Sequence, residues 1–220
     1  MHPHTKAILV TGGIDSTTLM HMYADENPTL ITVDYGQVVF PIQVDMITRH
    51  RAQLGLAPPV ILKIDFPEWQ KKPGLFQPGY SPDEDNPLED WEQLRYDDFL
   101  IEGRNAIMVM YALAYCSAHK IDELLAGYLY GEKEWEMRRT IKLMTGDNSP
   151  QFVDAMNGLT SMGLSHQVRF RAPFYETRWS KQDVIAAGKK RNINYENTYS
   201  CYFDPPCGVC DNCLLRKKYL

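Results

Sequence analysis

Short apolar runs and amphipathic segments take turns along this chain, and the two periods predict strands and helices in alternation. Lys6-Ala-Ile-Leu-Val10 reads as a buried strand running into Thr11-Gly-Gly-Ile-Asp-Ser16, and Thr17–Ala24 then sets Leu19, Met20 and Tyr23 at helical spacing. Leu30–Asp34 repeats the strand signal. Pro41 suits the first turn of a helix whose apolar stripe is Ile42, Met46, Ile47 and Leu54, and Val60–Ile64 is the next strand. Asn105–Ala118, rich in Ala and Met, predicts a buried helix, with a short strand at Glu123–Ala126 behind it. Ser149–Leu159 predicts another helix and Val168–Phe170 a strand. Ser180-Lys-Gln-Asp183 has the form of a capping box that opens a helix for Gly188 to end. The alternation predicts an α/β fold, a doubly wound and mostly parallel sheet covered on both faces.

The pattern breaks between Pro67 and Pro87, which hold five of the fourteen prolines, and from Pro82 to Asp98 eight acidic residues face a single Arg95. This segment is either a solvated surface insertion or a functional lid. Set against the ~150 residues of a typical domain, the 220 residues predict one domain over 1–197, with a lid-like insertion at about 66–98 and a tail at 198–220. A hydrophobic share of 44% and a charged share of 23% exclude general disorder. The 23 basic against 28 acidic residues, a formal −5, argue against a nucleic-acid partner bound through broad phosphate neutralisation, but leave room for a small anion. Apolar stretches such as Ala7–Val10 are too short for a bilayer, and Met1-His2-Pro3-His4 lacks a signal peptide's regions, so we expect a cytosolic protein with no membrane partner.

The loop after the first strand carries the candidate chemistry. Two glycines let backbone N–H groups approach an anion, the following helix adds its N-terminal partial charge, and Thr11, Ser16 and Thr17 add hydroxyl donors. Asp15 has the chemistry to hold a Mg2+ ion that bridges phosphate oxygens. A tight turn capped by Asp15 and Ser16 is the bland alternative. Neither a Walker loop nor a dinucleotide fingerprint occurs here. Arg104 and Asn105 open a helix after the acidic segment, where a guanidinium would grip a phosphate or a carboxylate, unless it pairs with Asp97, Asp98 or Glu102. Lys181 sits in a first helical turn, where cations are disfavoured, so an anionic partner would explain it, with a solvated lysine as the bland alternative. The six histidines stand at no catalytic spacing.

Four of the five cysteines, Cys201, Cys207, Cys210 and Cys213, crowd into thirteen residues as C-x5-C-x2-C-x2-C, which suits one tetrahedral Zn2+ in a closed structural site. A redox pair at Cys207 and Cys210, or a zinc ribbon for nucleic acid with only Arg216, Lys217 and Lys218 behind it, are the competing readings. Cys116, inside the apolar helix, reads as an inert core residue.

Thr11-Gly-Gly-Ile-Asp-Ser16 resembles the S-G-G-x-D-S motif of the PP-loop ATP pyrophosphatases, with Thr for the first Ser. The resemblance narrows to the QueC family, 7-cyano-7-deazaguanine synthases: Asp34-Tyr-Gly-Gln37 is similar to its D-Y-G-Q and Gly103-Arg-Asn105 to its A/G-R-N. Pro150-Gln-Phe152, Ala155-Met-Asn157, Ala172-Pro173, Ser180-Lys181 and Thr198-Tyr-Ser-Cys-Tyr202 match in the same order, and the cysteine tail resembles the family's zinc tail with a shorter first gap. The resemblance implies cleavage of ATP between the α and β phosphates to adenylate 7-carboxy-7-deazaguanine, ammonia as co-substrate, and a homodimer. It implies pyrophosphate and nucleotide contacts at Val10, Thr11, Gly12, Gly13, Ile14, Asp15, Ser16, Thr17 and Thr18, a nucleotide edge at Asp34, Tyr35, Gly36 and Gln37, and Asp15, Ser16, Arg104 and Lys181 as the catalytic set. Where the family places D-Y-S-G-Y-P-D-C-R, this chain has Tyr128-Leu-Tyr-Gly-Glu-Lys-Glu-Trp-Glu-Met-Arg-Arg139, in which Tyr128, Tyr130 and Trp135 remain candidates to stack on a flat heterocycle. That departure keeps open a defence-associated QueC-like enzyme that joins the carboxylate to a protein amine. A non-catalytic nucleotide- or nucleic-acid-binding zinc protein is the reading from another class.

Overall fold

The computed structural model describes residues 4–71, 73–79, 101, 103–129, 149–208 and 210–220. Its strands β1 (Lys6–Leu9), β2 (Thr29–Asp34), β3 (Val60–Lys63), β4 (Glu123–Leu125) and β5 (Arg169–Arg171) form one all-parallel sheet in the order β3-β2-β1-β4-β5. In register, Ala7 faces Thr29 on one side and Leu124 on the other. The helices among the described residues are α1 (Ile14–Met22), α2 (Phe40–Gln53), the single turn α3 (Pro73–Phe76), α4 (Arg104–Ala118), α5 (Pro150–Gly163), the single turn α6 (Pro173–Glu176), α7 (Lys181–Lys189) and α8 (Asp211–Tyr219). None is long and apolar enough to cross a membrane.

Pleating sends successive side chains to opposite faces, and both faces are apolar. Ile8, Val10, Leu30 and Leu125 pack with Leu19 and Met20 of α1, Ile47 of α2 and Val184 and Ile185 of α7. Ala7, Leu9, Ile31, Leu124 and Phe170 pack with Val109, Leu113 and Cys116 of α4 and Met156 of α5. The doubly wound expectation holds. Because the order runs outward from β1 in both directions, the loops after β1 and β4 part to opposite faces and leave a crevice at the carboxyl ends, where such sheets bind ligands.

Local chemistry sets several boundaries away from their expected places. α1 begins at Ile14 rather than Thr17, since Gly13 serves as its N-cap and its carbonyl accepts from Thr17 N–H at 3.0 Å. The Ser180–Asp183 capping box is present, but Gly188 does not end α7: it lies inside the helix, where an added Cβ would fall 1.7 Å from Tyr195 Oη, so this glycine makes room for a ring. Structure also continues past Pro67 as a turn at Trp69–Lys71 and as α3, and the carbonyl of buried Leu75 accepts Val38 N–H at 2.9 Å. Residues 80–100, with the acidic run, lie outside the described residues.

At the edge of the sheet, the Asn157 amide of α5 takes the place of a neighbouring strand, accepting Phe170 N–H at 2.8 Å and donating to Phe170 O at 2.9 Å. After α7 the chain passes over the carboxyl ends from one layer to the other: Ile193 and Tyr195 belong to the α1/α2/α7 side, Cys201 and Phe203 to the α4/α5 side.

Candidate phosphate site and four-cysteine centre

Between those two anchorages the crossing segment meets the first loop, with Tyr199 N–H donating to Gly12 O at 2.8 Å. Gly12 has φ +71°, and a Cβ there would sit 2.7 Å from Gln43 O, so only glycine fits. Ser16 Oγ accepts Thr11 N–H at 3.1 Å and lies 3.2 Å from Thr11 Oγ1, which shows that Thr keeps the hydroxyl in place while its methyl stays at an exposed position. Just after β4, Gly127 packs under the loop so closely that a Cβ would be 3.1 Å from the Asp15 carbonyl carbon. Thr17 Oγ1 is buried with no hydrogen-bond partner among the described residues. An orphaned donor in a glycine loop at a helix N-terminus fits an anionic ligand.

Lys181 Nζ lies 2.6 Å from both carboxylate oxygens of Asp15. The lysine is only 8% exposed, so its anionic partner is a neighbour in space from the first turn of another helix. The pair joins the N-termini of α1 and α7 at the mouth of the loop. Val10 and Ile14 are buried supports, and Thr18 turns its hydroxyl to Ile14 O at 2.8 Å and Tyr195 Oη at 2.7 Å.

The turn after β2 is built by Gln37, whose Oε1 accepts Tyr35 N–H at 2.9 Å while its Nε2 donates to Val33 O and Gln43 Oε1, each at 3.1 Å. Asp34 Oδ1 accepts Gly36 N–H at 3.0 Å. Gln43 therefore touches both turns, a link that no spacing rule in the sequence signals. Tyr35 meets Trp69 and Phe76 edge-on, and the Arg104 guanidinium stands 5.9 Å from its ring centre. Burial raises the Tyr35 pKa and Arg104 opposes it. Arg104 thus joins the β2 turn, while Asp97, Asp98 and Glu102 lie outside the described residues, as do Tyr130 and Trp135. Tyr128 packs edge-on against Phe152 and Phe170.

The four cysteine Sγ atoms all lie within 4.8 Å of one another, so the short first gap, with Pro205 and Pro206, does close the set. Cys201 Sγ accepts N–H from Phe203 and Cys207, and Cys207 Sγ accepts from Cys210, each at 3.4 Å. The hydrogen bond from Cys210, then the amides of Cys207 and Phe203, lower the pKa of the Cys201 thiol against the effect of burial. Amides aimed at sulfur and four converging thiols fit a tetrahedral Zn2+. Cys116 is fully buried and burial pushes it up to about 12, so it stays a protonated core residue.

Two histidines that no spacing in the sequence relates form a pair. His21 Nε2 lies 3.0 Å from His50 Nδ1, and His50 Nε2 lies 3.0 Å from Asn197 O, so α1, α2 and the crossing segment meet through two imidazoles. Burial lowers both pKa values, that of His21 to about 4.

Residues 6–220 match the family model described as queuosine biosynthesis protein QueC. The chain belongs to the QueC family. A 7-cyano-7-deazaguanine synthase from Syntrophus aciditrophicus is 28% identical over 99% of this chain and 94% of its own length. Proteins of the same name from Methanosphaera stadtmanae and Kineococcus radiotolerans are 27% and 29% identical, over 97% and 95% of this chain and 92% and 90% of theirs. In this QueC chain the loop, the β2 turn and Arg104 stand along one carboxyl edge of the sheet. The cysteine centre closes the same end.

Proposed function

We propose that the chain is an ATP-dependent ligase of 7-cyano-7-deazaguanine synthase type. The observation that carries this reading is the glycine loop at the switch point, closed from behind by Gln43 and Gly127 and faced by the Asp15–Lys181 pair. The carboxylate of 7-carboxy-7-deazaguanine attacks the α-phosphorus of ATP, the bond to the β-phosphate oxygen breaks, and pyrophosphate leaves. Ammonia then attacks the acyl-adenylate carbonyl, a proton is lost, and AMP departs with the amide formed. The amide oxygen then attacks the α-phosphorus of a second ATP, a second pyrophosphate leaves, and loss of AMP with the two remaining N–H protons gives the nitrile. The backbone N–H groups of the loop, with Thr11, Ser16 and Thr17, receive the pyrophosphate charge, and Lys181 and Arg104 add cations. Asp34–Gln37 border the nucleotide. A Mg2+ ion bound with the nucleotide would neutralise phosphate charge, and Asp15 would be the carboxylate to hold it. No side chain must act as base, since the carboxylate is already a nucleophile.

Mass spectrometry of protein, ATP, Mg2+ and 7-carboxy-7-deazaguanine, with and without ammonium, tests the reading. AMP plus ammonium-dependent nitrile is the expected result, with Asp15→Ala and Lys181→Met each falling at least ~100-fold, as for loss of a group that stabilises transition-state charge. The substrate-side departure at Tyr128–Arg139 favours a second reading, a defence-associated enzyme that transfers the acyl group to a protein amine. AMP with no nitrile, and a mass shift on an added protein acceptor, would decide for it. No AMP under any condition would leave the non-catalytic reading. A homodimer accompanies the family reading, and light scattering on the purified chain tests it.

A further inference from the structure

Arg216 lies on α8, one turn beyond Cys213 and two beyond Cys210, so the cysteine centre fixes where its side chain begins. Its guanidinium donates from Nη1 to Thr198 Oγ1 at 2.6 Å and from Nη2 to Tyr195 O at 3.0 Å. Both acceptors are uncharged, and no carboxylate pairs with it among the described residues. Cys213 of the centre acts on this half-buried arginine as a charge, while the hydroxyl and the carbonyl that it hydrogen-bonds fix its geometry. Thr198 in turn donates to Tyr195 O at 2.6 Å, and the next residue, Tyr199, gives its N–H to Gly12 O. Just beyond, Ser200 Oγ and Tyr199 O stand 3.6 and 3.7 Å from where a Gly13 Cβ would be. From the opposite side His50 holds Asn197 O. Buried Cys201, Phe203 and Cys210 also dock the tail in the core, so these two bonds are not its sole hold on the domain.

We propose that Arg216 is a positioning residue for the phosphate-binding loop, through which the four-cysteine centre sets the Tyr195–Tyr199 segment against Gly12. The inference rests on the reading that this loop binds the phosphates of ATP. Arg216 does not touch the ligand. It fixes the carbonyl of Gly12 and with it the direction of the neighbouring loop N–H groups, which a bound pyrophosphate requires.

The test measures equilibrium binding of ATP and of inorganic pyrophosphate, with Mg2+, to the full zinc-loaded chain and to Arg216→Ala, Arg216→Lys and Thr198→Val, alongside zinc content and melting temperature. Zinc is expected to stay at one ion per chain in every variant. Both ligands should weaken ~10-fold in Arg216→Ala, which is ~1.4 kcal/mol, with a smaller loss in Arg216→Lys and Thr198→Val. Lower melting temperatures with ligand affinities within about twofold of wild type would make Arg216 a structural staple and overturn the proposal. Should Arg216→Ala lose zinc or fail to fold, Thr198→Val, which removes one acceptor and leaves the arginine, decides in the same way. Absence of ATP and pyrophosphate binding in the wild-type chain would instead refute the ATP reading beneath the proposal, a result distinct from variants that bind as the wild type does.

Discussion

Gly12 carries the most constraint per atom in the loop. Its left-handed backbone costs a non-glycine residue roughly 1–2 kcal/mol, and the atom that an added methyl would meet is a backbone carbonyl, Gln43 O, which has no rotamer with which to retreat. Gly12→Ala is therefore expected to lose at least ~2 kcal/mol in urea unfolding and, more tellingly, ATP affinity, because the loop and the crossing segment share this carbonyl. Unchanged ATP affinity would mean the loop does not receive phosphate. At this scale the chemistry-bearing types are legible in the sequence: a Gly-Gly-x-Asp-Ser turn after a strand suits an anion as well as a plain capped turn, and Lys181 in a first helical turn suits an anionic partner as well as solvent. The identity of that anion is not legible, because Asp15 and Lys181 are far apart in sequence and only the packing of α7 on α1 brings them together.

Elements follow from hydrophobic period where burial is one-sided or complete, and lose definition where a tertiary contact overrides it. β1 and β2 are apolar on both faces, and their ends fall within a residue of where the apolar runs place them. β4 and β5 are three residues each, and β5, at the sheet edge, runs from exposed Arg169 through buried Phe170 to partly buried Arg171. Gly188 reads as a helix stop by composition, but the Tyr195 ring that occupies its missing side chain comes from outside the helix and leaves no local signal. Asn157 is the same kind of case, a polar residue amid an apolar helix whose purpose is the exposed edge of β5. Asn157→Leu would leave Phe170 N–H without its acceptor in a largely buried setting, so a loss of about 2 kcal/mol is expected from urea unfolding. A loss below ~0.5 kcal/mol would show that solvent serves the edge as well as the amide does.

Across the whole molecule, the segment from Ile193 to Phe203 ties the two layers together at the carboxyl ends of the strands, and it is held by the cysteine centre from one end and by the histidine pair from the other. The four thiols are legible from spacing alone; the crossing is not, since Tyr195, Thr198 and Tyr199 carry no periodic pattern. Removal of zinc by a chelator should lower the melting temperature, because site and tail fold together, and an unchanged melting temperature would refute the structural role of the metal. The histidine pair adds a dependence on pH. Burial first, then His50 and Arg191, lower His21 from an ordinary 6.5 to about 4, and burial lowers His50 as well. The geometry agrees: His50 Nε2–H serves Asn197 O, which leaves Nδ1 as the acceptor from His21, and a proton on that atom would set donor against donor. The unfolded chain then binds protons that the folded chain refuses, so stability is full above pH ~6.5 and falls as pH drops toward ~4. The depressed carboxyls of Asp122, Glu176 and Asp183 lose their contribution lower, below the ordinary carboxylate range, and do not supply this slope. Urea midpoints at pH 5 and pH 7 should differ in the wild-type chain and differ less in His21→Gln; an equal pH difference in both would mean that the pair bridging α1, α2 and the crossing segment is already free to charge in the folded protein.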